Sequence, residues 1–243
     1  MKQIIITGSS SGLGKSLSQI CIDEGNIVHM LERNKKKNKR NEFYYFVDLM
    51  YPEDSFHVIG EVLSNISNSN RNFSEIVFIN CASTISPITF IKNLHYNEID
   101  ASIKINIQSP INIIMELLKY CDRTKCGMKI INITSGVAKN PIEGWSCYSM
   151  CKAAIVNFLN TLEKENNLIK IVSIDPGVMD TNMQCTIRNS SEENFPQLQK
   201  FITYKNSKTL RMPQEVAKII YDVYIKNWYA KESFENLKRY IDD

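Results

Sequence analysis

Short runs of β-branched and aromatic residues alternate along the chain with longer stretches in which apolar positions return every three or four residues. The runs "QIIIT" (3–7), "NIVHML" (26–31), "FYYFVD" (43–48), "EIVFIN" (75–80), "KIINITS" (129–135) and "KIVSID" (170–175) predict six strands. Several are apolar without alternation, as strands covered on both faces are. Helical spacing follows at Leu13, Leu17, Ile20 and Cys21, and again at Val216, Ile219, Ile220, Val223 and Tyr224, where Pro213 suits a first helical turn. Strand and helix in repeated alternation predict right-handed βαβ units: an α/β fold with a doubly wound parallel sheet and helices on both faces. No repeat or composition break divides the chain, so residues 1–243 read as a single domain. Residues 180–210 form the longest stretch without strand character and are expected to be a substrate loop.

Composition narrows the function classes. With 43% hydrophobic and 23% charged residues in 243, the chain is long enough to bury a full core. Its 29 Lys and Arg against 26 Asp and Glu leave +3, with no clustered basic and aromatic face, so no nucleic-acid partner is expected. The run "RNKKKNKR" at 33–40 reads as a solvated loop. "KQIIITG" enters a strand at once without a leader pattern, and no apolar stretch approaches the roughly 18 residues of a membrane span. A cytoplasmic protein without membrane contact is therefore expected. Seven cysteines fit reduced thiols. The pairs Cys121/Cys126 and Cys147/Cys151 match no common zinc spacing, and His29, His57 and His95 are scattered, so no metal is expected.

Two short stretches carry candidate chemistry. In "TGSSSGLG" (7–14), between a strand and a helix, Gly8 permits a tight turn, Gly12 lets a phosphate approach the backbone, and Gly14 allows close helix packing. In "GWSCYSMCK" (144–152), Tyr148 and Lys152 stand four apart, on one face of a helix, with no acidic residue between them. A free phenol titrates near about 10, and a neighbouring ammonium lowers that value by favouring the phenolate.

Taken together and in order, these stretches resemble the short-chain dehydrogenase/reductase family over nearly the whole chain. "TGSSSGLG" resembles its cofactor turn, "VDL" at 47–49 the segment whose Asp lies beside adenine, and "INCAS" at 79–83 its N-N-A-G, with Cys81 and Ser83 departing. "KINIQSP" supplies the helix asparagine, "INITSG" the serine, "YSMCK" the Y-x-x-x-K pair and "DPGVMDT" the segment that closes over the nicotinamide. The resemblance implies a single-domain Rossmann fold and a catalytic set of Asn106, Ser135, Tyr148 and Lys152. It implies cofactor contacts from Gly8, Ser10, Ser11, Gly12, Leu13, Gly14, Arg33, Asp48, Leu49, Asn80, Ala82, Tyr148, Lys152, Pro176, Gly177, Val178 and Thr181. In ketone reduction Tyr148 would be the general acid, with Lys152 tuning it and holding the ribose. Ser135 would hydrogen-bond the substrate oxygen, and Asn106 would hold a water leading from Lys152.

"INITSGVAKNPIEGWSCYSMCKAA" and "DPGVMDTNMQCTIR" are similar to the benzil-reductase branch of that family, and more loosely to sepiapterin reductases. The branch implies a small ketone or diketone substrate. Another small ketone, a pteridine or a non-catalytic regulator are the alternatives. Glu32 and Arg33, at the end of the second strand, point in opposite directions. In the family an acid there holds the ribose diol of NAD, and an arginine one position on pairs with the 2′-phosphate of NADP. The basic rim of Arg33, Lys35, Lys36 and Lys37 favours NADP(H) over NAD(H), although Ser11 stands where NADP-preferring members often carry a base. Trp145 is expected either to cap the substrate pocket or to be core, and Met179, Met183 and Phe195 suit an apolar substrate. The C-terminal "SFENLKRYIDD" reads as lacking the family's last strand. A homodimer or homotetramer through the helices of Asn106 and Tyr148 is implied by the resemblance alone.

Overall fold

Within β1 (Gln3–Thr7) the side chains of Ile4 and Ile6 enter one hydrophobic cluster and that of Ile5 enters another. The period of two sends successive residues to opposite faces, so a strand apolar throughout requires cover on both. The same division holds in β2 (Ile27–Glu32), β4 (Glu75–Asn80), β5 (Gly127–Ile133) and β6 (Ile169–Asp175). One face is covered by α1 (Gly12–Asp23) and α8 (Pro213–Ile220), through Leu13, Leu17, Val216 and Ile220. The other is covered by α2 (Pro52–Asn68), α4 (Ser109–Thr124) and α5 (Ser146–Glu165), through Val62, Ile113, Leu117, Ile155 and Leu159. Each such aliphatic side chain withdrawn from water contributes about 1.5–3 kcal/mol.

The computed structural model describes residues 1–69 and 72–240. Among these, seven strands form one parallel sheet in the order β3-β2-β1-β4-β5-β6-β7, with β3 at Glu42–Phe46 and β7 at Phe234–Asn236. The chain reverses its direction of winding between β1 and β4, and a crevice at the C-terminal ends of those strands is the usual ligand position in such sheets. The six predicted strands are all present, two with the expected bounds and the others with ends shifted by at most two residues.

A seventh strand, without glycine, stands in the C-terminal segment that reads as lacking the family's glycine-bearing last strand. It is three residues long and its middle residue, Glu235, is fully buried. Burial is tolerated because its carboxylate accepts the hydroxyls of Tyr224 at 2.6 Å and Tyr240 at 2.9 Å and the backbone N–H groups of Lys231 and Glu232. The last three residues of that segment lie outside the described residues. The stretch 180–210 also holds two short helices, α6 (Asn182–Arg188) and α7 (Leu198–Asn206).

A row of buried polar side chains crosses the C-terminal ends of four strands. Thr7, Asn80, Asn132 and Ser173 are register partners on β1, β4, β5 and β6. Thr7 Oγ1 donates to Asn80 Oδ1 at 3.4 Å, Asn80 Nδ2 to Asn132 Oδ1 at 3.0 Å, and Asn132 Nδ2 to Ser173 Oγ at 3.1 Å. Thr7 Oγ1 also accepts the backbone N–H groups of Cys81 and Ala82, both at 3.1 Å. The loops that leave these strands therefore start from one fixed line.

Near the opposite end of the sheet, His29 on β2 is buried between Gln3 Oε1 at 2.9 Å and the Tyr45 hydroxyl at 3.1 Å. Asn65 of α2 completes the group by donating to Tyr45 at 2.8 Å. Burial lowers the His29 pKa from 6.5 to about 4. The unfolded chain thus takes up this proton first on acidification, so stability falls as pH drops from about 6.5 toward 4. Urea unfolding at pH 7 and pH 5 is expected to show a loss of roughly 2 kcal/mol attributable to His29. His29→Gln is expected to remove that part of the slope.

Candidate active site

The glycine turn between β1 and α1 is closed more tightly than any side chain would permit. Gly8 and Gly12 have φ of +73° and +52°. A Cβ at Gly8 would lie 2.9 Å from the Ala82 backbone, and one at Gly14 would lie 2.2 Å from the Gly8 carbonyl oxygen. Gly14 therefore lets the helix start pack on the turn itself, and Gly8 lets the turn pack on the loop after β4. No side chain caps α1 at Ser11, and Ser10 and Ser11 are exposed. Thr181, at the start of α6, would touch a Cβ at Gly12 at 3.2 Å, so the segment after β6 folds over the turn. A cradle of backbone at a helix start, roofed by a second loop, fits the pyrophosphate of a dinucleotide.

At the end of β2 the two conflicting residues are placed differently. Glu32 is buried, and its carboxylate accepts the Ser9 hydroxyl at 3.0 Å and pairs with the Lys36 ammonium at 2.6 Å. Arg33 is exposed. Asp48 accepts the Met50 N–H at 3.0 Å, and Leu49 is core, its carbonyl held by the Ser109 hydroxyl at 2.8 Å. Leu13 likewise turns its side chain into the core, leaving only backbone for a ligand. Gly177 takes φ +74° between Pro176 and Val178, its N–H donating to Asp175 Oδ1 at 3.1 Å.

Ser135 lies two residues beyond the end of β5, and Tyr148 and Lys152 one turn apart in α5. The Ser135 hydroxyl faces the Tyr148 phenol and favours its ionised form. Lys152 Nζ donates to the Ile133 carbonyl at 2.9 Å and lies 5.6 Å from the centroid of the Tyr148 ring. Both side chains are buried, and burial moves them oppositely. Tyr148 is pushed above its ordinary value by burial and by Asp175, with the Ser135 hydroxyl pulling it back. Lys152 is brought down from 10.5 to about 8 by burial. Lys152, expected to lower the phenol, is not among the groups that shift it here, and its ammonium is turned to the Ile133 carbonyl. Cys81, one of the two departures from the family pattern, stands beside Lys152 and the Gly14 N–H, its thiol pushed up to about 12 by burial.

Asn106 sits in a π-helical turn, Lys104–Gln108, between α3 (Tyr96–Ile103) and α4. Such turns re-aim side chains at functional sites. Its Oδ1 accepts the Ser83 hydroxyl at 2.8 Å and the Thr84 N–H at 2.9 Å; its Nδ2 donates to the Thr84 carbonyl at 3.0 Å and the Ser102 hydroxyl at 3.2 Å. All four hydrogen-bonding positions of the amide are filled. The side chain thus clamps the loop after β4. Ser83, the second departure, is one of its partners.

Above Tyr148 lies a third hydrophobic cluster that the sequence indicated only through Trp145, Met183 and Phe195. Trp145 stacks on Phe195 at 4.8 Å and 12°, meets Phe201 at 5.3 Å, and turns its edge to Tyr148 at 5.9 Å. Ile85, Val137, Ile187 and Leu198 complete it, with Met183 and Val178 against its side. Phe201 and Leu198 went unread because α7 is short and mostly polar outside these two. Met179 is separated from this group and packs on the α1 and α8 side.

A family model described as "short chain dehydrogenase" matches residues 2–192. The chain belongs to the short-chain dehydrogenase family. Benzil reductase ((S)-benzoin forming) of Bacillus cereus is 32% identical over 233 residues, covering 90% of this chain and 92% of the relative. Its namesake in Bacillus subtilis is 33% identical over 223 residues, covering 89% and 90%. A solved short-chain dehydrogenase/reductase from Saccharomyces cerevisiae superposes with a TM-score of 0.83 at 20% identity, over 97% of this chain and 96% of the other. As a short-chain dehydrogenase the protein is an NAD(P)-dependent oxidoreductase. Among the described residues no helix is long and apolar enough to cross a membrane, and no cluster of three or more His, Cys, Asp or Glu is placed to hold a metal ion.

If Asn106 acts as a clamp, Asn106→Ala is expected to lower unfolding free energy by about 1–3 kcal/mol in urea titration, because Ser83 and Thr84 lose a buried partner. Full stability with lost turnover would instead indicate a role in proton transfer alone.

Proposed function

We infer that this short-chain dehydrogenase is an NADPH-dependent carbonyl reductase of ketones and 1,2-diketones of the benzil type, with Tyr148 as proton donor. The observation that carries the reading is the half-buried Ser135 hydroxyl facing the buried Tyr148 phenol, with Lys152 buried one turn along and an aromatic cluster packed on the tyrosine. The cofactor, when bound, supplies the hydride that reduces the carbonyl carbon. Tyr148 keeps its proton at neutral pH because burial disfavours the phenolate, and so it has a proton to deliver to the carbonyl oxygen. Ser135 shares that oxygen and steadies its growing charge. Lys152, titrating at about 8, is mostly an ammonium at pH 7 and serves to hold the ribose hydroxyls.

Two features support an aromatic diketone. Trp145, Phe195 and Phe201 pack on one another beside Tyr148 and make an aromatic surround that suits a ring-bearing substrate. The buried Trp145 Nε1 has no hydrogen-bond partner among the described residues, and a second carbonyl oxygen next to the reacting one would satisfy it. The relatives named as benzil reductases point the same way. Preference for NADPH is supported by the engagement of Glu32 with Ser9 and Lys36, which leaves its carboxylate already partnered and Arg33 exposed for a 2′-phosphate.

Tyr148→Phe is expected to lower kcat with benzil by about 10²–10⁴-fold while NADPH binding, read by fluorescence titration, is retained. Substantial residual turnover would rule out Tyr148 as the acid. Arg33→Ala is expected to raise the KM for NADPH by roughly 10- to 100-fold and leave that for NADH nearly unchanged. Equal effects on both cofactors would remove the assignment to the phosphate.

A further inference from the structure

Cys121 and Cys126 lie at the end of the sheet opposite the glycine turn. Cys121 is a buried core position of α4, which ends at Thr124. Lys125 adopts a left-handed conformation, φ 56°, and turns the chain into β5, which begins at Gly127. That reversal brings the half-buried Cys126 back onto the helix it has just left. The two Sγ atoms stand 3.1 Å apart, about 1 Å beyond a disulfide bond of roughly 2.05 Å. All seven cysteines are free thiols, and this is the one sulfur–sulfur contact among the described residues. Cys147 and Cys151, one turn apart on α5, do not meet; Cys151 is engaged with Ser102 instead.

The pair is asymmetric and open to small molecules. A surface cavity of about 570 Å³ has Cys126 in its wall, with Ser67, Phe73, Ser74, Tyr120 and Lys125. The contact with Cys121 and the Thr124 hydroxyl draw the Cys126 thiol below its ordinary range, whereas the same contact and burial push Cys121 up. Cys126 is therefore the accessible thiolate and Cys121 the protonated thiol held behind it.

We propose that Cys126 and Cys121 form a thiol–disulfide exchange site that accepts low-molecular-weight disulfides of the glutathione type and closes into an intramolecular disulfide. The Cys126 thiolate attacks one sulfur of the small disulfide, forming a mixed disulfide and releasing one small thiolate, which takes up a proton. Cys121 then loses its proton and attacks the Cys126 sulfur. The protein disulfide forms and the second small thiol leaves. Two protein thiols are oxidised and one small disulfide is reduced to two thiols, with nothing left over. The site is distinct from Ser135 and Tyr148 and does not depend on the carbonyl-reductase reading.

The test uses the full chain, reduced and then freed of reductant, incubated with oxidised glutathione near neutral pH, quenched with N-ethylmaleimide and digested with trypsin without reductant. Cleavage after Lys119, Arg123, Lys125 and Lys129 places Cys121 and Cys126 on separate peptides, 120–123 and 126–129. Their linkage therefore appears as one cross-linked ion in mass spectrometry, split by dithiothreitol. The expected result is that ion as the main oxidised product. In Cys121→Ser, glutathione is expected to remain on Cys126. Both cysteines carrying N-ethylmaleimide, or glutathione confined to the exposed Cys185, would overturn the proposal. The wild-type readout stands even where the buried Cys121 does not tolerate substitution.

Discussion

Everything above the sheet depends on one row of hydrogen bonds within it. Thr7, Asn80, Asn132 and Ser173 hold each other across four strands. A slip of one residue in any of these strands would send an amide or hydroxyl to the wrong face and leave its partner buried without a bond, at about 1–3 kcal/mol each. The register is thereby fixed by polar groups in a sheet whose other inward residues are interchangeable aliphatics. Four of the segments proposed to act begin just past this row: Gly8 after Thr7, Cys81 and Ala82 after Asn80, Ser135 after Asn132, and Pro176 after Ser173. Precision in the loops is inherited from the row rather than built by the loops.

On that base, burial sets the protonation of the two groups that stand closest to the proposed chemistry. Removing water raises the phenol of Tyr148 and lowers the ammonium of Lys152, so at neutral pH the acid keeps its proton and the lysine keeps most of its charge. Keeping the proton and releasing it readily are opposed demands, and burial serves only the first. Ser135 is the one local group that pulls the phenol the other way.

The sequence was easiest to read where one physical rule acted alone. β-branched runs marked six strands because both faces of the sheet need cover, and the glycine positions were legible because nothing else fits where a Cβ would meet a carbonyl at 2.2 Å. β7 was missed because a three-residue strand centred on a buried glutamate violates the usual rule. The hydroxyls of Tyr224 and Tyr240, with the N–H groups of Lys231 and Glu232, make it tolerable. Asn106 was found by position, yet the atoms it uses were not: its clamp depends on Ser83, a departure from the family pattern whose partner lies 23 residues away. Motifs located side chains well, and hydrogen-bond saturation, which needs coordinates, decided what those side chains were free to do.

The aromatic cluster over Tyr148 is a separate core, built from α6, α7 and the residues around Trp145, and its members do not interleave with the two cores that hold the sheet. Such a division uncouples two kinds of change. Trimming Phe201 or Leu198 would open a void in this cluster alone, while the two cores that hold the sheet keep their packing. Such a loss would loosen α6 and α7 around Tyr148 before it reached the strands.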